Sequence, residues 1–193
     1  METVKIRITG TSPLLMHSDR LVNTFDPLAK EIKMLTNKKK KTEEIQYEIL
    51  RLKWKGAMYY DDKIGPYIPA HVLKACILRA STKTKEGPKV RSGLMVLDDK
   101  NKLEYDGARD MDKMWKNGKF TDIRAVCVGR SRVMGCRPVF NNWILNASII
   151  VDPTQLEPAD VLRFLETAGQ LVGMCDFRPE KGGNFGRFSA EEI

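Results

Sequence analysis

The sequence predicts an α+β fold, and three stretches carry that prediction. Residues 4–8 alternate between apolar and charged side chains, which is the pattern of a strand with one buried face. Residues 142–151 repeat the same alternation before an Asp-Pro pair ends them. From Pro158 onward, apolar residues recur at helical spacing until Gly173, so a long helix follows that strand.

The composition indicates a basic, globular protein. The chain has 193 residues, enough for one domain with a sizeable core and insertions. Lys and Arg number 33 against 25 Asp and Glu, a net charge of +8, which suggests a polyanionic partner such as nucleic acid. No apolar run approaches the roughly 20 residues that span a bilayer, and residues 1–6 read as a strand and not as a signal peptide. We therefore expect a cytoplasmic protein without a membrane partner.

Cysteine and histidine usage argues against a metal centre. The four cysteines form no C-x-x-C pair, and the histidines are His17 and His71. We expect no metal, no cofactor and no disulfide framework, with reduced and mostly packed thiols.

Two regions read as additions to the main sheet and helices. Asp26-Pro27 and Thr42 are typical helix starts, and they predict a helical hairpin whose break is the tetralysine Lys38–Lys41. Those lysines either solubilise a tip or contact phosphate. Residues 94–97 and 102–105 predict a β-hairpin, and residues 110–115 a short capped helix. Two further strands are predicted at 123–128 and 132–140.

A proline-bounded turn leads into another helix. Pro66 and Pro69 hold the residues before them extended, and Pro69 suits the first turn of a helix. Lys74 falls outside the apolar stripe and can reach solvent or phosphate. The predicted buried face consists of Val72, Leu73, Cys76, Ile77 and Ala80.

A glycine-rich segment occupies residues 173–188. Its glycines let the backbone approach another molecule closely, and its N–H groups can receive phosphate oxygens. Phe177 and Phe185 either stack on bases or belong to the core. We expect this loop to be needed for binding and not for folding, with Gly186 as the position that tests it. The charged residues of the segment that could meet phosphate are Arg178, Lys181 and Arg187.

Both segments resemble motifs of the RAMP superfamily, the repeat-associated proteins of CRISPR ribonucleoprotein complexes. Ile68-Pro69 and Leu73-Lys74 are similar to the strand-to-helix signature, although Ala70-His71-Val72 replaces the usual Gly-Ser-Ser. Residues 182–188, Gly-Gly-Asn-Phe-Gly-Arg-Phe, resemble the family's glycine-rich loop with one Asn inserted. The resemblance implies one ferredoxin-like domain over residues 1–193. In that fold an antiparallel sheet carries two core helices, here with inserted segments at about 26–56 and 83–121.

The same resemblance implies a function. We expect a sequence-independent binder of single-stranded nucleic acid, RNA more than DNA, that assembles head to tail into a helical oligomer like CRISPR effector backbone subunits. Other CRISPR-type subunits are implied partners, and membership of a CRISPR complex would imply a role in antiviral defence. The chain also resembles stand-alone relatives carried by phages and mobile elements. The predicted contacts are Lys5, Arg7, Lys74, Arg124, Arg130, Arg132, Arg137, Arg178, Lys181, Gly182, Gly183, Phe185, Gly186 and Arg187.

Two alternatives stay open. One is a metal-independent endoribonuclease, in which His17 or His71 would activate a 2′-hydroxyl. Some backbone subunits of the family cleave target RNA with a loop aspartate shortly after the first strand, and Asp26 lies in the corresponding stretch. Asp26 also has a structural explanation as a helix cap. The other is a protein-interaction module that joins or caps a partner's CRISPR filament. The main interpretation requires no catalytic residue.

Overall fold

The computed structural model describes residues 1–129 and 131–193 and has an α+β fold with antiparallel sheets. The predicted fold class is confirmed at that level. The strands are β1 (Glu2–Gly10), β2 (Leu14–Leu15), β3 (Tyr60–Asp61), β4 (Gly65–Pro69), β5 (Leu94–Val96), β6 (Lys100–Tyr105), β7 (Thr121–Val128), β8 (Ser131–Phe140), β9 (Trp143–Val151) and β10 (Phe188–Glu192). The α-helices are α1 (Pro27–Thr36), α2 (Glu43–Ala57), α3 (Ala70–Thr82), α4 (Gly87–Gly93), α5 (Met111–Asn117) and α6 (Pro158–Thr167).

The chain divides into two compact units. Unit 1 consists of residues 1–14, 60–106 and 140–193, and unit 2 consists of residues 15–59 and 107–139. Two segments remote in sequence therefore build unit 2. The predicted insertion 26–56 lies inside the first of them. Of the predicted insertion 83–121, residues 83–106 belong to unit 1 and the remainder to unit 2.

Unit 1 is organised around one sheet with the strand order β10-β1-β9-β6-β4-β3. β1 pairs antiparallel with both β10 and β9, so the strand predicted over residues 4–8 lies inside the sheet. Its apolar residues Val4, Ile6 and Ile8 are at most 2% exposed. The alternation in β9 is equally strict, and its odd-numbered residues from Trp143 to Val151 are buried. Both sequence predictions are confirmed.

The two long helices of unit 1 supply the other half of its core. Pro69 is the N-cap of α3, one position earlier than its predicted place in the first turn, and the helix buries Leu73, Cys76 and Ile77. α6 begins at Pro158 and buries Val161, Phe164 and Leu165. A π-helical turn, Ala168–Val172, continues it as far as Gly173, whose φ of 73° ends the helical run. The predicted stop at Gly173 is confirmed.

The hairpin predicted over residues 94–105 is wrong, although both of its strands exist. β5 pairs with the end of β9, with Leu94 opposite Val151, and β6 pairs with the beginning of β9, with Leu103 opposite Leu145. β5 and β6 thus run in the same direction, one after the other, along the edge of β9. Residues 97–99 interrupt the pairing with β9 between the two strands and do not form a hairpin turn. The short helix α4 just before β5 was not predicted.

In unit 2, side-chain caps start the helices where the sequence predicts them. The Asp26 carboxylate accepts a hydrogen bond from the Leu28 amide at 2.8 Å, and the Thr42 hydroxyl accepts one from Ile45 at 3.4 Å. Asp110 caps α5 through the Lys113 amide at 2.9 Å. Each cap satisfies one of the amides that a helix start leaves unpaired.

Trp54 of α2 joins the two segments of unit 2. Its side chain is fully buried, and its indole N–H donates to the Phe120 carbonyl at 2.8 Å. Its ring also packs against Trp115 of α5, with 5.5 Å between centroids. β7 and β8 follow as an antiparallel ribbon in register from Thr121 opposite Pro138 to Val128 opposite Ser131.

Candidate nucleic-acid interface

The net positive charge of the chain resides in unit 2. Unit 2 contains 18 Lys and Arg against 9 Asp and Glu, whereas unit 1 contains 15 against 16, and together these make the chain's 33 and 25. Unit 2 is therefore strongly basic and unit 1 nearly neutral. A polyanion is attracted to a region where positive charge is concentrated. Electrostatic attraction therefore favours unit 2 over unit 1 as its contact surface.

The open face of the unit 1 sheet carries mixed charge. Lys5 is exposed and Arg7 half-buried on the side of β1 opposite its buried residues. Arg7 lies opposite Glu191 of β10, and the exposed Glu104 accepts a hydrogen bond from Asn146 at 3.0 Å on the same face. Basic and acidic residues alternate across this surface, and it lacks the single-sign field of unit 2.

Lys74 is engaged within unit 1. Its ammonium group donates to the carbonyl of Arg91 at 3.2 Å, near the end of α4. Carbonyls at the end of a helix have no partner within that helix and attract a cation. The position predicted for a phosphate contact thus has a structural role.

The backbone amides of the glycine-rich loop donate hydrogen bonds within the protein. Gly183 N–H donates to the Arg178 carbonyl at 3.0 Å, Phe185 N–H to Phe177 at 3.1 Å, and Gly186 N–H to Pro13 at 2.8 Å. These amides are the donors that the sequence assigned to phosphate oxygens. In this structure they hold the loop together, and the proposed phosphate cradle is not formed by them.

Close packing requires two glycines of this loop, Gly183 and Gly186, and Gly186 also has a left-handed φ of 69°. A Cβ built on Gly183 would lie 1.8 Å from the Phe177 carbonyl oxygen, and one on Gly186 would lie 2.0 Å from that of Met174. Gly182 has a φ of 77°, yet a Cβ there would meet nothing within 4 Å. The expectation that Gly186 is not needed for folding is therefore wrong, and its role in binding stays a prediction.

The charged and aromatic residues of the loop divide into engaged and outward-facing groups. Arg178 donates to the Cys175 carbonyl and to Glu180, each at 2.9 Å, and Arg187 donates to the Gln170 carbonyl. Lys181 is exposed. Phe177 is 43% exposed with its ring centroid 6.0 Å from that of Phe185. Among the basic and aromatic side chains of the loop, Lys181 and Phe177 are the exposed ones.

The β7–β8 ribbon carries the remaining predicted contacts. The register places Arg124 and Arg137 on one face, where the Arg124 guanidinium binds the Asp122 carboxylate with Nε 2.6 Å from Oδ1. Arg132 is exposed on the other face. Arg130 lies outside the described residues. The ribbon therefore presents arginine on both of its sides.

Of the three candidate catalytic residues, Asp26 has a structural role. Asp26 caps α1 and forms an ion pair with Arg20 at 2.8 Å, and this pairing lowers the pKa of its carboxyl group. His17 and His71 are exposed. Within the described ranges, no group of three or more His, Cys, Asp or Glu residues could hold a metal ion.

Burial makes the thiols of Cys76 and Cys136 unreactive. Burial raises the pKa of Cys76 and of Cys136 to about 12, so both remain protonated at neutral pH. Cys76 Sγ lies 3.2 Å from the Gly173 carbonyl and acts as a packed donor beneath the glycine-rich loop. This agrees with the expectation of packed cysteines at these two positions.

A pocket between α2 and α5 in unit 2 was not predicted as a functional site. It is lined by Tyr47, Glu48, Arg51, Asp112, Trp115 and Lys116. The available signal in the sequence was Tyr47, an aromatic residue on an amphipathic helix but outside its apolar stripe of Ile45, Ile49 and Leu52. At 56% exposure it is one of the large side chains left open to solvent.

Comparison with known proteins adds no relative to this description. No protein-family model matches the chain, and no curated protein matches it. Among the helices of the described residues, none combines the length and the apolar character needed to cross a membrane.

Proposed function

We propose that this protein binds single-stranded nucleic acid without sequence preference and that unit 2 provides the main contact surface. The observation that carries the proposal is the charge distribution, with 18 basic against 9 acidic residues in unit 2. Contacts between Lys or Arg and phosphates position a strand but do not read its sequence. A surface dominated by such contacts accepts any base composition.

The relationship to RAMP proteins is part of this proposal. Along unit 1, the order β1, α3, β5/β6, β9, α6, β10 follows the β-α-β-β-α-β succession of a ferredoxin-like domain. Its central strands lie in the order β10-β1-β9-β6, so the last and first strands are neighbours. This arrangement supports a ferredoxin-like unit 1, with unit 2 inserted after β1 and after β6. The preference for RNA rests on the resemblance in sequence alone.

Head-to-tail assembly along the strand is the second part of the proposal, and the β7–β8 ribbon supports it. Ile123 and Met134 lie on one face of the ribbon at 48% and 50% exposure, and Val133 lies on the other at 41%. β8 also pairs with β2, but β2 has only two residues, so most of the ribbon consists of two strands. A ribbon of two strands is only marginally stable by itself in water. Apolar residues on both of its faces favour a contact with a second copy. The number of protein molecules bound should then rise with strand length, as analytical ultracentrifugation can measure.

The binding proposal is tested by removing equal charge from each unit. In unit 2, Lys38–Lys41 and Arg132 are exposed and would be replaced by Gln. In unit 1 the matched control replaces Lys63, Lys83, Lys89, Arg91 and Lys102, which are also exposed. Fluorescence anisotropy with a labelled strand of about 30 nucleotides, at salt from about 50 to about 200 mM, gives affinity and salt slope.

We expect the unit 2 variant to bind all sequences more weakly and to lower the salt slope by about 0.7 for each phosphate that the variant no longer neutralises. The control should keep the slope of the wild-type protein. Equal effects in the two variants would contradict the assignment to unit 2. A wild-type protein that binds no strand at the lowest salt would contradict the function itself.

A further inference from the structure

The pocket between α2 and α5 combines an open aromatic wall with a polar rim. Its volume is about 370 Å³, within the range of small-molecule sites. Tyr47 of α2 forms the exposed wall, and its ring meets Trp115 of α5 edge-on with centroids 5.3 Å apart. Trp115 in turn packs on the buried Trp54. The wall is thus supported from behind by two further rings.

The rim offers both hydrogen-bond donors and acceptors in fixed positions. Arg51 is held between Glu48 at 3.1 Å and Asp112 at 2.7 Å, and Lys55 lies 3.0 Å from the same Asp112 oxygen. These cations lower the pKa of Asp112 to about 2, so its carboxylate stays charged at neutral pH. Each acid is matched by a cation, which makes the rim nearly neutral. Such a rim suits an uncharged polar group better than a phosphate.

The indole N–H of Trp115 is a second observation that points to a ligand in this pocket. Its side chain is 8% exposed, and its indole N–H is buried without a hydrogen-bond partner among the described residues. A buried donor without an acceptor is costly, and native structures contain few of them. Trp54 and Trp143, by contrast, both donate to a backbone carbonyl, at 2.8 and 2.9 Å. Trp115 lines the pocket, and a ligand with acceptor atoms on a flat edge would supply the acceptor that its indole N–H lacks.

We propose that this pocket takes one nucleobase of the bound single strand, stacked on Tyr47 with its polar edge towards Arg51 and Trp115. The inference rests on the proposed function and adds a subsite to it. Donors and acceptors on the same rim admit any of the bases, which agrees with binding that ignores sequence. Lys116 on the outer side of the pocket is exposed, and it is placed to meet the phosphate of the same nucleotide.

The test compares a strand that carries bases with an abasic strand of equal length. Tyr47→Ala should weaken binding of the base-containing strand by roughly 5- to 150-fold, the usual effect of removing one base–aromatic stack. Its salt slope should stay unchanged, because no phosphate contact is removed. Binding of the abasic strand should be the same for Tyr47→Ala and wild type. Tyr47→Phe, which keeps the ring, should behave as wild type.

Phe25→Ala is the matched control, since Phe25 is also in unit 2 and is 80% exposed. It should not alter binding. Thermal unfolding of each variant checks that the fold is kept. If wild type and Tyr47→Ala bind the base-containing strand equally well, the subsite is overturned and the proposed function stands. If wild type binds neither strand, the proposed function fails and the subsite fails with it.

Discussion

Gly186→Ala should destabilise the protein by about 3 kcal/mol or more, whereas Gly182→Ala should cost only about 1 kcal/mol. Both glycines have a left-handed φ, 69° and 77°, so both variants carry the strain of a side chain in that region. Only at Gly186 does the new Cβ also collide with a backbone carbonyl, 2.0 Å away on Met174. The difference between the variants therefore isolates the packing of the loop.

Equilibrium unfolding in urea, followed by circular dichroism, measures the two free energies. The pair is internally controlled because both positions lie in one loop and differ mainly in the space around the Cβ. Similar costs at the two positions would mean that the chain near Met174 can move aside. The loop would then be less rigid than its hydrogen bonds indicate.

Trp54→Ala should destabilise the protein by about 3 to 5 kcal/mol, the usual cost of removing a large buried ring. The ring is fully buried and packs on Trp115, so its removal leaves a cavity in the interior of unit 2. The Phe120 carbonyl is also deprived of its 2.8 Å hydrogen bond. Trp54→Phe keeps part of the volume but not the donor, and we expect an intermediate destabilisation.

Hydrogen exchange measured by mass spectrometry shows which part of the chain is destabilised. Amides of residues 15–59 and 107–139 should exchange faster in Trp54→Ala, since Trp54 joins those two segments. A variant that unfolds with nearly the free energy of wild type would contradict the central place given to this side chain. Tyr47→Ala, an exposed substitution on the same helix, serves as the comparison.

Local chemistry made several elements predictable. The alternation in β1 and β9 identified their buried faces, and Asp26, Thr42 and Asp110 identified three helix starts. These signals depend on neighbouring residues only. Strand pairing is different, because apolar alternation marks a strand without naming its partner. The sequence of residues 94–105 consequently predicts a hairpin, although both strands pair with β9.

The candidate site was harder to predict than the fold for the same reason. The excess of arginine and lysine indicated a polyanion, but their separation between two units depends on contacts between residues 15–59 and 107–139. The glycine-rich loop looked like an anion cradle, yet its amides are bonded within the protein. The pocket at Tyr47 needs α2 and α5 side by side, and nothing local to either helix predicts that they meet.

The two-segment construction of unit 2 has a consequence for its synthesis on the ribosome. Residues 107–139 leave the exit tunnel after residues 15–59, and the chain from residue 59 to residue 139 takes roughly 4 to 16 s to emerge at ordinary elongation rates. During that interval α2 exposes Ile49, Leu52 and Trp54, which are buried once the fold is complete. The nascent chain therefore passes through an aggregation-prone stage in which only the first segment of unit 2 is available to fold. Slower translation of the intervening codons would prolong that stage and increase the need for a chaperone.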